Sequence, residues 1–245
     1  MKTLIIAVLT ILVSFGAHAS GGADLEHADI DITDKASLQR GAKYFVNYCL
    51  SCHSAKHLRY SRMAKDLSID TKLVEENLIF TDQKVLEGMT IAMTAKDGEK
   101  WFGITPPDLS LIARSRGSDW LYSYLKAFYL DDSRPFGVNN SVFPDVGMPH
   151  VLADLQGLAV PVYKDVEKGD GSLTEELDHM KIVKPGRLNA EEYDQVVLDL
   201  VNFLSYMGEP IQVERAKIGK KVILFLLLML IIFYFLKKEY WKDIH

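Results

Sequence analysis

The chain has 245 residues, 48% of them hydrophobic and 25% charged, which fits an ordinary folded protein and excludes disorder on a large scale. A formal net charge of -5 excludes the clustered basic face that phosphate recognition needs, so nucleic acid is not an expected partner. An acidic surface suits a basic protein partner instead.

Residues Met1 to Ala19 read as a secretory signal. Lys2 gives a positive start, Leu4 to Phe15 is a short apolar run, and Ala17-His18-Ala19 is a small-x-small cleavage site, so the mature chain is expected to begin near Ser20. About a dozen apolar residues are too few to cross a hydrocarbon core roughly 30 Å thick.

Ser37 to Tyr48 has helical spacing, with Leu38, Gly41 or Ala42, and Phe45 on one face. This run leads into Cys49-Leu50-Ser51-Cys52-His53, whose cysteines are the only two in the chain. The pattern C-x-x-C-H is that of c-type haem attachment. Two thiols three positions apart lie on one side of a helical turn, where each can add to one vinyl group of the porphyrin, and His53 then serves as proximal iron ligand. A redox-active cysteine pair would be expected beside a strand-helix-strand pattern, and zinc would need a second cysteine or histidine pair at close spacing. Neither is found.

An electron-carrying iron needs its sixth position filled, because an open position invites oxygen or peroxide chemistry. Met63 and His57 lie too near the attachment turn, Met180 reads as part of a polar loop, and Met207 falls on a core helix face. Met89 and Met93, four apart, read as a helix face. Met148 stands between Gly147 and Pro149, in a loop that can approach closely and is then stiffened. It is the favoured ligand, with His150 as the alternative.

Asn189-Ala190-Glu191-Glu192 is an N-cap with a reciprocal glutamate, opening an amphipathic helix through Tyr193, Val196 or Val197, Leu200, Leu204 and Met207, which Gly208 and Pro210 stop. Gly41 and Phe45, set against Phe203 or Tyr206, resemble the crossing of the first and last helices in small cytochromes c; two unrelated core helices are the other reading. After a juxtamembrane stretch at 210–221, Val222 to Leu236 carries no charge and is bracketed by Lys220-Lys221 and Lys237-Lys238. It reads as one transmembrane helix whose lysines snorkel, with Tyr240 and Trp241 at the interface. The signal exports everything before it, leaving 237–245 in the cytoplasm.

Along nearly its whole mature length the chain resembles the cytochrome c1 family, the c-type haem subunit of the cytochrome bc1 complex. The resemblance rests on Arg40-Gly41, Cys49-x-x-Cys52-His53-Ser54, Pro106-Pro107-Asp108-Leu109-Ser110, the Gly147-Met148-Pro149 loop and one C-terminal helix, all in the family's order. The 96 positions from Cys52 to Met148 match the family's enlarged haem domain. The resemblance implies a mainly α, cytochrome c-like haem domain at 20–209 with long insertions. It implies that Met148 is the sixth ligand, that Pro106 and Pro107 pack beside the haem, and that Arg116, with Arg114 as runner-up, pairs with a propionate. Trp120 falls near an aromatic that the family places by the haem. It further implies one covalent haem c and a place in the bacterial inner membrane with the haem domain in the periplasm. One electron would pass from the Rieske iron-sulfur protein to a soluble cytochrome c, with cytochrome b alongside in a dimeric quinol:cytochrome c reductase, the chain alone being a carrier. The acid-rich stretches Asp24 to Asp34 and Asp165 to Glu176 are candidates for steering a basic cytochrome c, and read otherwise as a solvated face and a mobile loop. Competing readings are a membrane-anchored monohaem cytochrome of another oxidase or reductase, and a haem enzyme or gas sensor with an open iron.

Overall fold

The computed structural model describes residues 25–242 apart from 168, 170 and 171; the expected signal at 1–19 and residues 243–245 of the expected tail lie outside the described residues. Helix α1 (Lys35–Tyr44) starts at Asp34, whose carboxylate accepts from the backbone N–H groups of Ala36 and Ser37 at 2.9 and 3.1 Å. It runs straight into a wider π-helical turn, Phe45–Cys49, which delivers the first cysteine.

Strand β1 (Ala55–Arg59), α2 (Tyr60–Leu67) and α3 (Thr71–Asn77) follow, and β2 (Gly88–Met89) pairs antiparallel with β1 through Ala55 and Met89. Met89 is therefore a buried strand residue and Met93 lies outside any helix or strand, which corrects the expected helix face. Helix α4 (Ala95–Phe102) has a capping box formed by Thr94 and Asp97. Short α5 (Ile112–Arg116) and α6 (Ser118–Lys126) lead to β3 (Phe128–Leu130), which pairs with β4 (Val138–Asn140). One turn of helix, α7 (Ala153–Gln156), precedes β5 (Gly157–Glu167) and β6 (Leu173–Pro185), and α8 (Ala190–Gly208) and α9 (Gln212–Tyr240) end the described chain. Helices supply most of the core, while the sheets among the described residues are three separate two-stranded pairs, so the fold is mainly α.

The core is centred where α1 crosses α8. A Cβ on Gly41 would stand 2.0 Å from the backbone oxygen of Asp199 and 2.7 Å from Phe203 Cβ, so only glycine allows the helices this close. Phe45 and Phe203 meet beside it, ring centroids 5.6 Å apart. The contact is locked by a buried carboxylate: Asp199 accepts from Arg40 Nε and Nη2 at 2.6 and 2.7 Å and from Ser37 Oγ at 2.7 Å. Asn202 donates to Ser37 Oγ and to the Asp31 carbonyl, tying the segment before α1 into the same network. The expected capping box of α8 is present, Asn189 and Glu192 each accepting from the other's backbone N–H, and Tyr193, Val196, Val197, Leu200, Leu204 and Met207 all face the core.

Strands β5 and β6 form a long antiparallel pair, which corrects the expected mobile loop at 165–176 and polar loop at Met180. Val160, Val162 and Val166 lie two or four positions apart on one strand, and Thr174, Leu177, Met180 and Ile182 lie on the other, with Met180 opposite Pro161. Helix α9 encloses the uncharged run Val222–Leu236 and starts ten residues before it, at Gln212. Its 29 residues span about 44 Å at ~1.5 Å each, longer than a hydrocarbon core. None of them is buried against the rest of the chain, as suits a face turned to lipid.

Candidate functional site

The π-helical turn ends on Cys49, and the chain then folds back tightly. Cys52 N–H and His53 N–H both donate to the Cys49 carbonyl, at 3.1 and 2.9 Å. One turn therefore presents two thiols and an imidazole together. Both cysteines are free, Cys49 buried and Cys52 half-buried. Burial, and secondarily the neighbouring Cys52, pushes the Cys49 thiol up to about 12. A redox-active cysteine pair needs the opposite, a thiolate stabilised near neutral pH. Among the described residues no group of three or more Cys, His, Asp or Glu is placed to hold a metal ion.

His53 is held from behind. Its Nδ1 lies 2.8 Å from the carbonyl oxygen of Pro107, and since a carbonyl only accepts, the proton sits on Nδ1 and Nε2 keeps its lone pair. Burial lowers the imidazole's affinity for a second proton, outweighing the Pro107 carbonyl and the Asp108 carboxylate that favour it, so His53 is neutral. A metal-ligating histidine is commonly oriented in this way, by a carbonyl on its far nitrogen.

The segment 106–110 is stitched to the chain just after His53. Leu109 N–H donates to the Ser54 carbonyl at 2.8 Å, Lys56 N–H to Asp108 at 3.1 Å, and His57 N–H to Ser110 Oγ at 3.1 Å. Pro106 is half-buried, close against Gly98, and Pro107 is exposed; the contribution of Pro107 visible here is its carbonyl.

Met148 lies in a second cluster, with Phe128, Val138 and Val146. The Tyr124 hydroxyl donates to its sulfur at 3.3 Å, and burial keeps that phenol protonated and so a donor. Tyr124 stacks flat on Trp120, centroids 4.8 Å apart, and meets Phe128 edge-on. A Cβ on Gly147 would stand 3.0 Å from Ile104 Cγ2. Ile104, three residues before the Pro107 that orients His53, thus packs on the methionine loop. In the loop itself Asp145 adopts a left-handed φ of 62°, and its carboxylate is pinned by Arg134 at 2.7 Å.

His150 stacks on Phe128 with centroids 4.8 Å apart and 2° between planes; burial lowers its pKa to about 4, and Nε2 has no hydrogen-bond partner. Arg116 is exposed, with its guanidinium 4.9 Å from the Trp120 ring centre and 5.6 Å from that of Phe143. Arg114 is already committed to Glu209 at 2.9 Å, which leaves Arg116 as the arginine of the pair without a carboxylate among the described residues. Met63 and Met207 are buried in the main core, as expected of packing residues. Tyr124, Asn139 and Asn140 were not legible as site residues. They lie 8 to 24 positions from Met148 and no local spacing links them to it.

The donor set fits a c-type haem: paired free thiols on one turn, an imidazole whose free nitrogen is Nε2, and a thioether among aromatic side chains. Comparison with known proteins agrees. The model of the Cytochrome C1 family matches residues 27–100 and 91–244. The chain belongs to the cytochrome c1 family. It is 53% identical to cytochrome c1 of Allochromatium vinosum over 246 aligned residues that cover the whole of both chains. It is 48% identical to the ammonia monooxygenase gamma subunit of Nitrosomonas europaea, over all of this chain and 99% of that one. The mitochondrial cytochrome c1 haem protein of Neurospora crassa is 26% identical over 92% of this chain and 68% of its own. Membership of the cytochrome c1 family brings a respiratory electron-carrier role, a c-type haem and a place in the cytochrome bc1 complex, and α9 fits a membrane anchor.

Proposed function

We propose that the chain holds one haem c through thioether bonds to Cys49 and Cys52, with His53 and Met148 as axial ligands, and relays single electrons from the Rieske iron-sulfur protein to a soluble periplasmic cytochrome c. The observation that carries this reading is the His53–Pro107 bond, which leaves Nε2 free on the turn that bears both thiols. The bound haem supplies a one-electron couple whose potential a thioether ligand raises. The residues around it act on position and charge. The Pro107 carbonyl holds the imidazole and Asp108 anchors that segment, Tyr124 holds the thioether, and Arg116 is the donor for a propionate, with Pro106 and Pro107 flanking the ring. No acid or base catalyst is needed for this transfer.

In this reading residues 1–19 are removed on export, 20–209 form the periplasmic haem domain, residues 222–236 of α9 cross the inner membrane once, and 237–245 face the cytoplasm. Cytochrome b and the Rieske protein are the partners in the membrane, in a dimeric complex. The acidic side chains of the β5–β6 hairpin, where Asp165 faces Glu175 across the strands, support a role in steering a basic cytochrome c. Like charges placed opposite one another cost stability, which fits a surface serving docking.

The test is to purify the native complex from membranes and follow the haem after quinol is added, then after soluble cytochrome c is added. The reading expects co-elution with cytochrome b and the Rieske subunit, reduction by quinol, and a reoxidation rate that falls as salt rises. A chain that elutes without those subunits, or a haem that quinol does not reduce, contradicts it; a salt-independent rate removes the docking role of the acidic surface.

A further inference from the structure

Asn140 ends β4 and is fully buried (0% exposed), yet both ends of its amide are used. Its Oδ1 accepts from the backbone N–H groups of Val142 and Phe143, at 2.9 and 3.0 Å. Its Nδ2 donates to the carbonyl of Tyr124 at 2.8 Å, sixteen residues away on α6. The preceding Asn139 adds to the same turn, its Oδ1 accepting from Asn140 N–H and Asp145 N–H at 2.9 Å each. Two consecutive amides therefore shape the start of the loop that ends at Met148.

The other end of the Asn140 amide leads to the same sulfur. Tyr124, whose carbonyl it holds, donates its hydroxyl to Met148 Sδ at 3.3 Å. Asn140 so reaches the thioether by two routes, through the backbone of 141–147 and through Tyr124. An asparagine that only shaped its own turn would not need the bond to α6.

We propose that Asn140 is a positioning residue for the Met148 sulfur, fixing the loop and the tyrosine that together hold the thioether in place. The inference rests on the reading of Met148 as the sixth ligand. Asn140 touches no reacting atom; it acts through the loop backbone and Tyr124.

The test compares wild type with Asn140→Ala, Asn140→Asp and Met148→Leu, each as the full-length haem protein in native membranes. Three readouts are taken: midpoint potential, the sulfur-to-iron charge-transfer band of the oxidised protein, and carbon monoxide binding to the reduced protein. Met148→Leu is expected to lower the potential, abolish the band and admit carbon monoxide. Asn140→Ala is expected to move all three in the same direction by a smaller amount, with a fraction of the reduced protein binding carbon monoxide where wild type binds essentially none. Asn140→Asp keeps the acceptor for Val142 and Phe143 but sets an oxygen against the Tyr124 carbonyl in place of the donor, so it is expected to move the same three readouts in the same direction; it carries the test if Asn140→Ala accumulates no haem protein. Asparagine variants that lose thermal stability while all three readouts stay at wild-type values overturn the proposal and leave the ligand reading standing. If Met148→Leu itself changes none of the three, the ligand reading falls and this inference with it.

Discussion

His53 Nδ1 and the carbonyl oxygen of Pro107 lie 2.8 Å apart across 54 residues of sequence. The bond fixes the tautomer and the ring plane of the imidazole, and it is made by a backbone atom that no side-chain substitution removes. Its support is replaceable, because Asp108 anchors the segment through Lys56 N–H and Ser110 N–H. Asp108→Ala is expected to cost about 1 to 2 kcal/mol by orphaning those donors, and to lower the midpoint potential as the imidazole loosens. Denaturant unfolding and redox titration of the haem protein check both.

Asp108 also predicts a pH dependence. Burial pushes its carboxyl up, but hydrogen bonds from Ser110 and Lys56 and the Lys56 charge outweigh that and leave it below the usual aspartate range. A carboxylate depressed in the folded state stabilises fully above its unfolded pKa, about 3.9, and loses that contribution as pH falls through its lower folded value. Asp108→Asn is therefore expected to flatten the acid limb of the stability curve below about pH 4. Unfolding midpoints that fall equally steeply in both proteins would show that Asp108 contributes nothing there.

Gly41→Ala tests the helix crossing. The added methyl would meet the Asp199 carbonyl at 2.0 Å, a backbone atom that cannot rotate away. The expected loss is about 3 kcal/mol, the upper end for overpacking, read as a lower unfolding midpoint.

Arg40→Ala leaves a nearly fully buried carboxylate, Asp199, without its bidentate partner. Ser37 and Gln195 still donate to it, and Arg40 is half exposed, so the expected cost is about 3 kcal/mol, the low end for a broken buried pair. Arg40→Lys restores only part of this, because an ammonium lacks the planar fork that meets both oxygens. Chemical denaturation of the three proteins orders them wild type, lysine, alanine.

What was legible in the sequence was local. The run into Cys49, the cap at Asn189 and the core face of α8 each declare themselves within a few turns, and the structure has them where the spacing put them. The β5–β6 hairpin was hidden by its charges, although Gly169-Asp170-Gly171 between two alternating runs is a hairpin signal. The Pro107 carbonyl and the Tyr124 hydroxyl were out of reach for another reason. A backbone acceptor has no residue-type signature, and Tyr124 meets Met148 only because the β3–β4 hairpin folds the chain back between them.

The central claim, a porphyrin joined covalently to this turn, is tested most directly by haem staining of the purified chain on a denaturing gel, beside Cys49→Ala and Cys52→Ala. Wild type is expected to give a stained band whose pigment resists acidified acetone, and each variant a band weakened or absent. A wild-type chain whose pigment is lost to acidified acetone, or variants that stain as strongly as wild type, would contradict it.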